Sequence, residues 1–356
     1  MKDKSFIMLC TPGYIKKTGY YFRAERDKDV LQSLNFKEKG TIVINSLKKI
    51  INTVLLIKKN KNTLFICENI AAALPIALFF LMYKKTSLKV ILVYHGSLED
   101  LKAFKFYKLK RFIYEKIERI MIHRETTVLF VSNEMKEYYN IKYGNLESFH
   151  VSPNIPSDIF FESINDAKNK EKNELRNLLS LPEEKKIVCY CGNSQSWQKV
   201  ELLTKIINFN TDGDLFFLIL TRDTDYFIKN ISKSKVNNTI IKTVPNDEVP
   251  YYLVASDMLY ILRDNNETNR FSCPTKLVEY LWSQKPVLIS ENIGDFSQKI
   301  KFYNSGIVLN SNHYNDIDLI TSLIKCFNGA AFPDDELDNY TFSFQHNLFK
   351  AILSDT

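Results

Sequence analysis

The strongest constraint on the fold is a repeated alternation between short, continuously apolar runs and longer stretches with helical periodicity. In the first half the runs are SFIMLC (5–10), TIVINS (41–46), TLFIC (63–67), LKVILVY (88–94) and TVLFVS (127–132). In the second half they are KIVCYC (186–191), DLFFLILT (214–221), TIIKTV (239–244), MLYILR (258–263), PVLIS (286–290) and GIVL (306–309). Strands that are apolar on both faces and alternate with helices build parallel sheets covered on both sides. A chain of 356 residues has room for two such domains of about 100–200 residues each. The pattern therefore predicts an α/β protein with one parallel-sheet domain over 1–160 and a second over 178–332. Between them, VSPNIPSDIFFESINDAKNKEKNELRN (151–177) has two prolines and then a charged stretch without apolar periodicity, so 161–177 reads as a linker. The end of the chain, 333–356, reads as a helix packing back on the first domain. Two open α/β domains facing each other make a cleft at the carboxyl ends of their strands, where ligands bind.

Composition narrows the class. With 45% hydrophobic and 25% charged residues the chain is neither disordered nor fibrous. Its six cysteines are scattered without a CxxC, and Cys189 and Cys191 share one face of a strand. That usage points to a reduced, metal-free protein. The longest apolar run, IAAALPIALFFLMY (70–83), is too short to span a bilayer and contains Pro75. The opening MKDKSFIMLC reads as a first strand and not as a leader. The expectation is a cytoplasmic protein, soluble or peripheral at the inner face of the cell membrane.

Charge is uneven. Residues 1–165 carry 27 Lys and Arg against 16 Asp and Glu, and the remaining residues carry 21 against 25. The basic half points to an anionic partner. Its surplus lies in 46–62 and 100–125, the second a helix-length segment. There Lys102, Lys105, Lys108, Lys110, Arg111 and Lys116 interleave with Phe104, Phe106, Tyr107, Phe112 and Tyr114. Such a helix suits an anionic membrane surface; equally, it suits a solvated basic face with its aromatics turned into the core. No nucleic-acid-binding motif accompanies the charge.

One segment is specific. MLYILRDNNETNRFSCPTKLVEYLWSQKPVLISENIGD (258–295) has a strand ending in Arg, a loop with Asn, then Ser-x-Pro-x-Lys-x-x-Glu-Tyr-Leu and a strand beginning Pro-Val. It resembles the donor-binding segment of retaining glycosyltransferases of the GT-B fold, the large family four. Weaker landmarks follow in order: TPGYIKKTGYYFRAER (11–26) is similar to the first glycine loop, VYHGSLED (93–100) to the His-Gly turn, and VCYCGNSQSWQKVELL (188–203) to the glycine turn of the nucleotide domain. The resemblance implies a GT-B protein of two Rossmann-like domains, acceptor side first and nucleotide-sugar side second.

Sugar transfer from a nucleotide-diphosphate sugar leaves negative charge on the diphosphate, so the site needs cations and free N–H donors. Ser272, Pro274, Thr275 and Lys276 open a helix whose exposed amides and dipole suit an anion. Arg263 and Lys199 are the candidate phosphate cations, Lys199 being as well read as a surface lysine and Arg263 as an interdomain ion pair. Gly192 and Asn193 form the turn beside them. The resemblance gives Glu279 the ribose hydroxyls, and His95 a contact to the transferred sugar or its diphosphate from across the cleft. Gly13, Tyr14 and Gly19 belong to the acceptor or phosphate loop. Two departures stand out: Phe271 occupies the place of a frequent second Glu, with Glu267 nearby but out of register, and Asn193 replaces a frequent Arg. The expected activity is metal-independent, cofactor-free, retaining transfer to a growing bacterial surface glycan, capsule or lipopolysaccharide O-antigen, the acceptor being a glycan or lipid-linked glycan. A nucleotide-sugar epimerase shares the architecture but needs more acid–base groups than five histidines provide. A degenerate GT-B subunit that only binds a partner is the non-enzymatic alternative.

Overall fold

A computed structural model describes residues 4–16, 19–96, 98, 106–124, 126–210 and 213–354. The chain divides into two compact units, Met1–Asn154 with Thr341–Thr356, and Ile155–Tyr340. The fold is GT-B, α/β, with one six-stranded, all-parallel sheet in each unit.

The first sheet has strands β1 (Ser5–Cys10), β2 (Lys37–Val43), β3 (Leu64–Cys67), β4 (Val90–Tyr94), β5 (Thr127–Phe130) and β6 (Phe149–Val151), in the order β2-β1-β3-β4-β5-β6. β1, β3 and β4 are buried along their whole length, as strands covered by helices on both faces must be. β2 starts four residues earlier than its apolar run. It is an edge strand only partly buried, where Lys and Glu are tolerated, and its register shifts between Phe6 and Ile7 opposite Gly40.

The second sheet comprises β7 (Lys186–Cys191), β8 (Leu215–Leu220), β9 (Thr239–Lys242), β10 (Met258–Ile261), β11 (Val287–Ser290) and β12 (Gly306–Leu309), ordered β12-β11-β10-β7-β8-β9. Chain order reverses between β7 and β10, and in the first sheet between β1 and β3. These switch points leave a crevice at the carboxyl ends of the strands, where flanking connections run to opposite faces.

The stretch expected as a linker, 161–177, is largely helical: it lies in the helices Asp158–Lys168 and Lys172–Leu178 apart from the three residues between them. Ser157 caps the first by accepting from the Phe160 N–H at 3.2 Å, and it buries Phe160, Ile164 and Ala167, a spacing that marks one helical face. Arg176 of the second is buried, with its guanidinium 2.6 Å from Asp257 and 3.1 Å from the Ala255 carbonyl. Both helices belong to the second unit. The return of the chain also comes later than 333. Glu336 still accepts from Tyr303 at 2.7 Å, and Tyr340 stacks on Phe296 with centroids 5.5 Å apart. From Thr341 the chain is part of the first unit. The helix Phe342–Ser354 lies along the helix Gly19–Ser33, adds Phe349 and Ile352 to the core around Phe6 and Met8, and Gln345 donates to the Pro153 carbonyl at 2.8 Å.

Candidate functional site

Most of the expected donor-binding residues meet at the switch point of the second sheet. Gly192 and Asn193 follow β7, and Arg263 follows β10. The helix Thr275–Trp282 brings Lys276 and Glu279 to the same place. It buries Leu277, Val278, Tyr280 and Leu281, which leaves Lys276 and Glu279, three residues apart, on the other face. Tyr280 fixes the helix against the sheet, its hydroxyl accepting from the Cys191 N–H at 2.9 Å.

Gly192 is glycine because Lys276 passes over it. A Cβ there would stand 2.2 Å from Lys276 Nζ and 2.8 Å from Tyr190 Oη. The ammonium donates to Gln198 Oε1 at 2.7 Å and lies 5.1 Å above the Tyr190 ring. Burial lowers its pKa to about 8. Arg263 is also buried. Its guanidinium lies 4.9 Å from the Trp197 ring, reaches Asn269 Oδ1 only at 3.4 Å, and its Nε has no partner. Burial lowers its pKa to about 10. Among the described residues neither cation has a carboxylate within 4 Å. Arg263 is thus a buried charge without a counter-ion, an arrangement that costs several kcal/mol, while Lys276 is partly buried and the nearby Glu279 carboxylate favours its charged form.

The loop before the helix is held by its neighbours. Asn266 caps the short helix Glu267–Arg270, and Ser272 Oγ donates to the Asn269 carbonyl at 2.8 Å. Gly294, at φ +47, backs onto this loop, where a Cβ would stand 2.1 Å from the Ser272 carbonyl oxygen. Only glycine combines that φ with that approach. Pro274 then caps the longer helix, and its carbonyl accepts from Leu277 at 2.9 Å and Val278 at 3.3 Å. The N–H groups of Thr275 and Lys276 are left without a protein acceptor among the described residues. Beside the cations lies Glu279, half-buried; its backbone carbonyl accepts from the Ser283 N–H at 3.2 Å, while its carboxylate makes no hydrogen bond among the described residues. Burial raises its pKa to about 7, with Lys276 opposing. A cavity of about 220 Å³ opens next to Gly192 along the carboxyl ends of β7, β8 and β9, walled by Leu220, Thr221, Val244 and Val249.

Lys199 and the departure at Phe271 stand as follows. Lys199 opens the helix Val200–Phe209 in the left-handed region at φ 50, and its ammonium pairs with Asp264. Its charge is matched by protein, and Lys276 holds the inner position instead. Phe271 is buried at 1% exposure, a core ring where the resemblance leads one to look for a carboxylate. Sequence reasoning missed Gln198, Trp197, Tyr190 and Gly294. Of these, Gly294 had a visible signal in its place inside SENIGD.

His95 lies in the first unit, after β4. Its Nε2 is 3.0 Å from Oε2 of Glu68, which follows β3 at the switch point of that sheet. Burial, then Arg23, lowers His95 to about 3, so the imidazole is neutral. Glu68 and Asp27 are both fully buried, each keeps one carboxylate oxygen without a partner, and burial raises both to about 7. Arg23 bonds Asp27 at 2.9 Å. Gly13 sits in the turn closed by Tyr14 N–H to the Thr11 carbonyl at 3.0 Å. Tyr14 is occupied by the protein itself, donating to Glu25 at 2.5 Å and accepting from Lys28 at 2.7 Å. Gly19 begins the helix Gly19–Ser33. Among the described residues no group of three or more His, Cys, Asp or Glu is placed to hold a metal ion.

No protein-family model and no curated protein matches the chain. Solved structures do. HepE of Anabaena, crystallised in complex with UDP, superposes with a TM-score of 0.69 at 12% identity over 99% of this chain and 100% of that one. Sucrose-phosphate synthase of Thermosynechococcus elongatus gives 0.68 at 12% identity over 99% and 100%. WaaG, a glycosyltransferase involved in lipopolysaccharide biosynthesis, gives 0.58 at 13% identity over 95% and 99%. At such identities the likeness is one of fold, and it spans the whole GT-B architecture.

Proposed function

We propose that the chain is a glycosyltransferase that takes a sugar from a nucleotide-diphosphate sugar and passes it, with retention of anomeric configuration, to a growing bacterial surface glycan. The observation that carries this reading is the buried cation Arg263, which has no counter-ion among the described residues, with the Lys276 ammonium and the N–H groups of Thr275 and Lys276 close by. A diphosphate meets all of them. Its charge grows as the bond to the anomeric carbon breaks, which is when fixed donors and cations contribute most. The Glu279 carboxylate, which bonds no protein group among the described residues, accepts from the two ribose hydroxyls, and the cavity beside Gly192 takes the base. The leaving phosphate accepts the proton of the incoming hydroxyl, so no protein nucleophile is needed. His95 is the candidate for sugar contact. Because protein cations meet the phosphates, donor binding survives chelation of divalent ions. The structural neighbours crystallised with UDP, and with UDP and glucose, support a uridine nucleotide as the first to try, and the lipopolysaccharide role of WaaG supports a capsule or O-antigen acceptor.

The test is release of nucleotide from a panel of UDP-, GDP- and CDP-sugars in the presence of glycan acceptors, with EDTA as one arm. Absence of both binding and turnover across the panel refutes the reading. Phe271 favours a second one, because a core phenylalanine supplies no hydrogen bond to a sugar. Tight nucleotide binding with no turnover on any donor then marks a GT-B subunit that binds without transferring.

A further inference from the structure

The first unit carries an outer face that the proposed chemistry does not use. The helices Leu47–Lys59, Leu74–Met82 and Tyr107–Ile122 follow β2, β3 and β4. Each connects to a strand lying in the same direction along the sheet, so right-handed crossovers put all three on one face. They lie side by side: Lys58 of the first stands 5.6 Å over the Tyr83 ring that ends the second, and Arg124 beyond the third donates to the Phe80 carbonyl at 3.2 Å. Their inner sides bury Val54, Ile57, Phe79 and Met121.

The outer side of such a layer is ordinarily polar. Here Leu47, Ile51 and Leu55, four residues apart, form one stripe exposed by 71%, 53% and 54%. Leu81 and Met82 end the middle helix exposed, and Leu109, Phe112 and Ile113 are exposed on the third. Single exposed apolar side chains are ordinary, but stripes on three adjacent helices mark an interaction surface.

The charges around the stripes select the partner. Leu47–Lys59 carries Lys48, Lys49, Lys58 and Lys59 and no acid. Lys84 and Lys85 follow the middle helix. On the third, Lys108, Lys110, Arg111, Lys116 and Arg119 face two acids, of which Glu115 pairs with Arg111 and Glu118 is buried. A protein interface is depleted of lysine, and a second copy of this face would set like charges against each other. Lipid headgroups of negative charge satisfy both features. Leucines and Phe112 enter the boundary between headgroups and acyl chains, while lysine stems reach phosphate. The geometry points to docking of this three-helix face on an anionic membrane surface. The basic segment noticed in the sequence is one third of it; Lys102, Phe104 and Lys105 lie outside the described residues.

Co-sedimentation of the full chain with vesicles tests this without reference to sugar transfer. Vesicles of phosphatidylglycerol and phosphatidylcholine in equal parts bind at least on the order of tenfold more tightly than phosphatidylcholine alone, and high salt narrows the gap. Ile51→Ser with Phe112→Ser weakens binding to the mixed vesicles by a similar factor. Replacing Lys48, Lys49, Lys58 and Lys59 by Gln narrows the preference for the anionic lipid. All of these side chains are exposed, and a circular dichroism spectrum and denaturant melt matching the parent report an intact variant. Absence of vesicle binding, equal binding to both lipids, or a dimer in solution that Ile51→Ser with Phe112→Ser breaks apart overturns the proposal. Failure of every donor to turn over leaves it standing.

Discussion

Glu279→Ala is the sharpest perturbation, because the carboxylate faces the candidate ribose site and is bonded to nothing else among the described residues. Two hydroxyls donating to one carboxylate are worth about 1.5–3 kcal/mol each. Allowing for water replacing part of that, a loss near 3 kcal/mol weakens nucleotide-sugar binding by about a hundredfold. The pKa adds a second, independent signature. Burial holds the free protein's Glu279 at about 7 against an ordinary 4.5, and the ribose requires the ionised form. Affinity for a nucleotide-diphosphate sugar, whose own charge is constant between about pH 5 and 8, therefore falls about tenfold per pH unit below 7. Glu279→Gln flattens that slope. Stability moves the other way. The folded state binds this proton more tightly than the unfolded chain, so the free protein loses stability as pH rises from about 4.5 through about 7, by up to about 3 kcal/mol from this group. Asp27 and Glu68 shift in the same direction, so the quantity to measure is the difference between Glu279→Gln and the parent. Isothermal titration with UDP-glucose at pH 5.5, 6.5 and 7.5 reads the first effect, and denaturant melts read the second. Binding by Glu279→Ala within threefold of the parent, or a parent affinity independent of pH, refutes the ribose assignment.

Arg263→Met should leave folding free energy unchanged or slightly improved, since it removes a buried charge without a counter-ion. It should weaken donor binding by about a hundredfold, and lost stability with retained binding would make the arginine structural. Gly192→Ala displaces the Lys276 ammonium, because the new methyl would stand 2.2 Å from it. Titration should find donor affinity down about tenfold or more, and no further drop when Lys276→Ala is added, since the two changes act on one interaction. In the first unit Glu118 is fully buried and accepts from Tyr94 and Tyr139 at 2.9 Å and from Tyr143 and Lys142 at 2.5 Å. Glu118→Ala strands all four donors and should cost about 3–5 kcal/mol in a denaturant melt, while nucleotide affinity stays within twofold.

The strands that the sequence reveals best are those buried on both faces, because continuous apolar runs leave no other reading. Where that pressure eases, the reading slips. β2 is a half-exposed edge that admits Lys37, Glu38 and Lys39, so its polar start looks like loop, and β6 is only three residues long. The helices at 158–178 were hidden by composition. Phe160, Ile164 and Ala167 do carry helical spacing, but in NDAKNKEKNELRN the charges mask it, and the buried Arg176 counts as polar until Asp257 is known to neutralise it.

The site divides the same way. Gly192, Arg263, Lys276 and Glu279 are adjacent in space because three of them follow from one local rule, a strand end and a helix start at a sheet switch point. The sequence carries that rule in one contiguous motif. How the two lysines are partnered is a tertiary matter. Lys199 and Lys276 are equally plausible lysines on paper, and they differ in the structure because Asp264 pairs with the first while Gly192 leaves a path for the second. Glu68 was unreadable for a related reason. It is a single carboxylate after a short strand, and its meaning comes from His95, 27 residues later, standing 3.0 Å away. A pair of polar groups thus shows in sequence when both partners share one loop. When the partner arrives from another strand, only the assembled sheet reveals it, and Phe271 follows the same logic. Its loss of a carboxylate is visible in the motif, but only the folded chain shows that the ring in its place is a core side chain at 1% exposure.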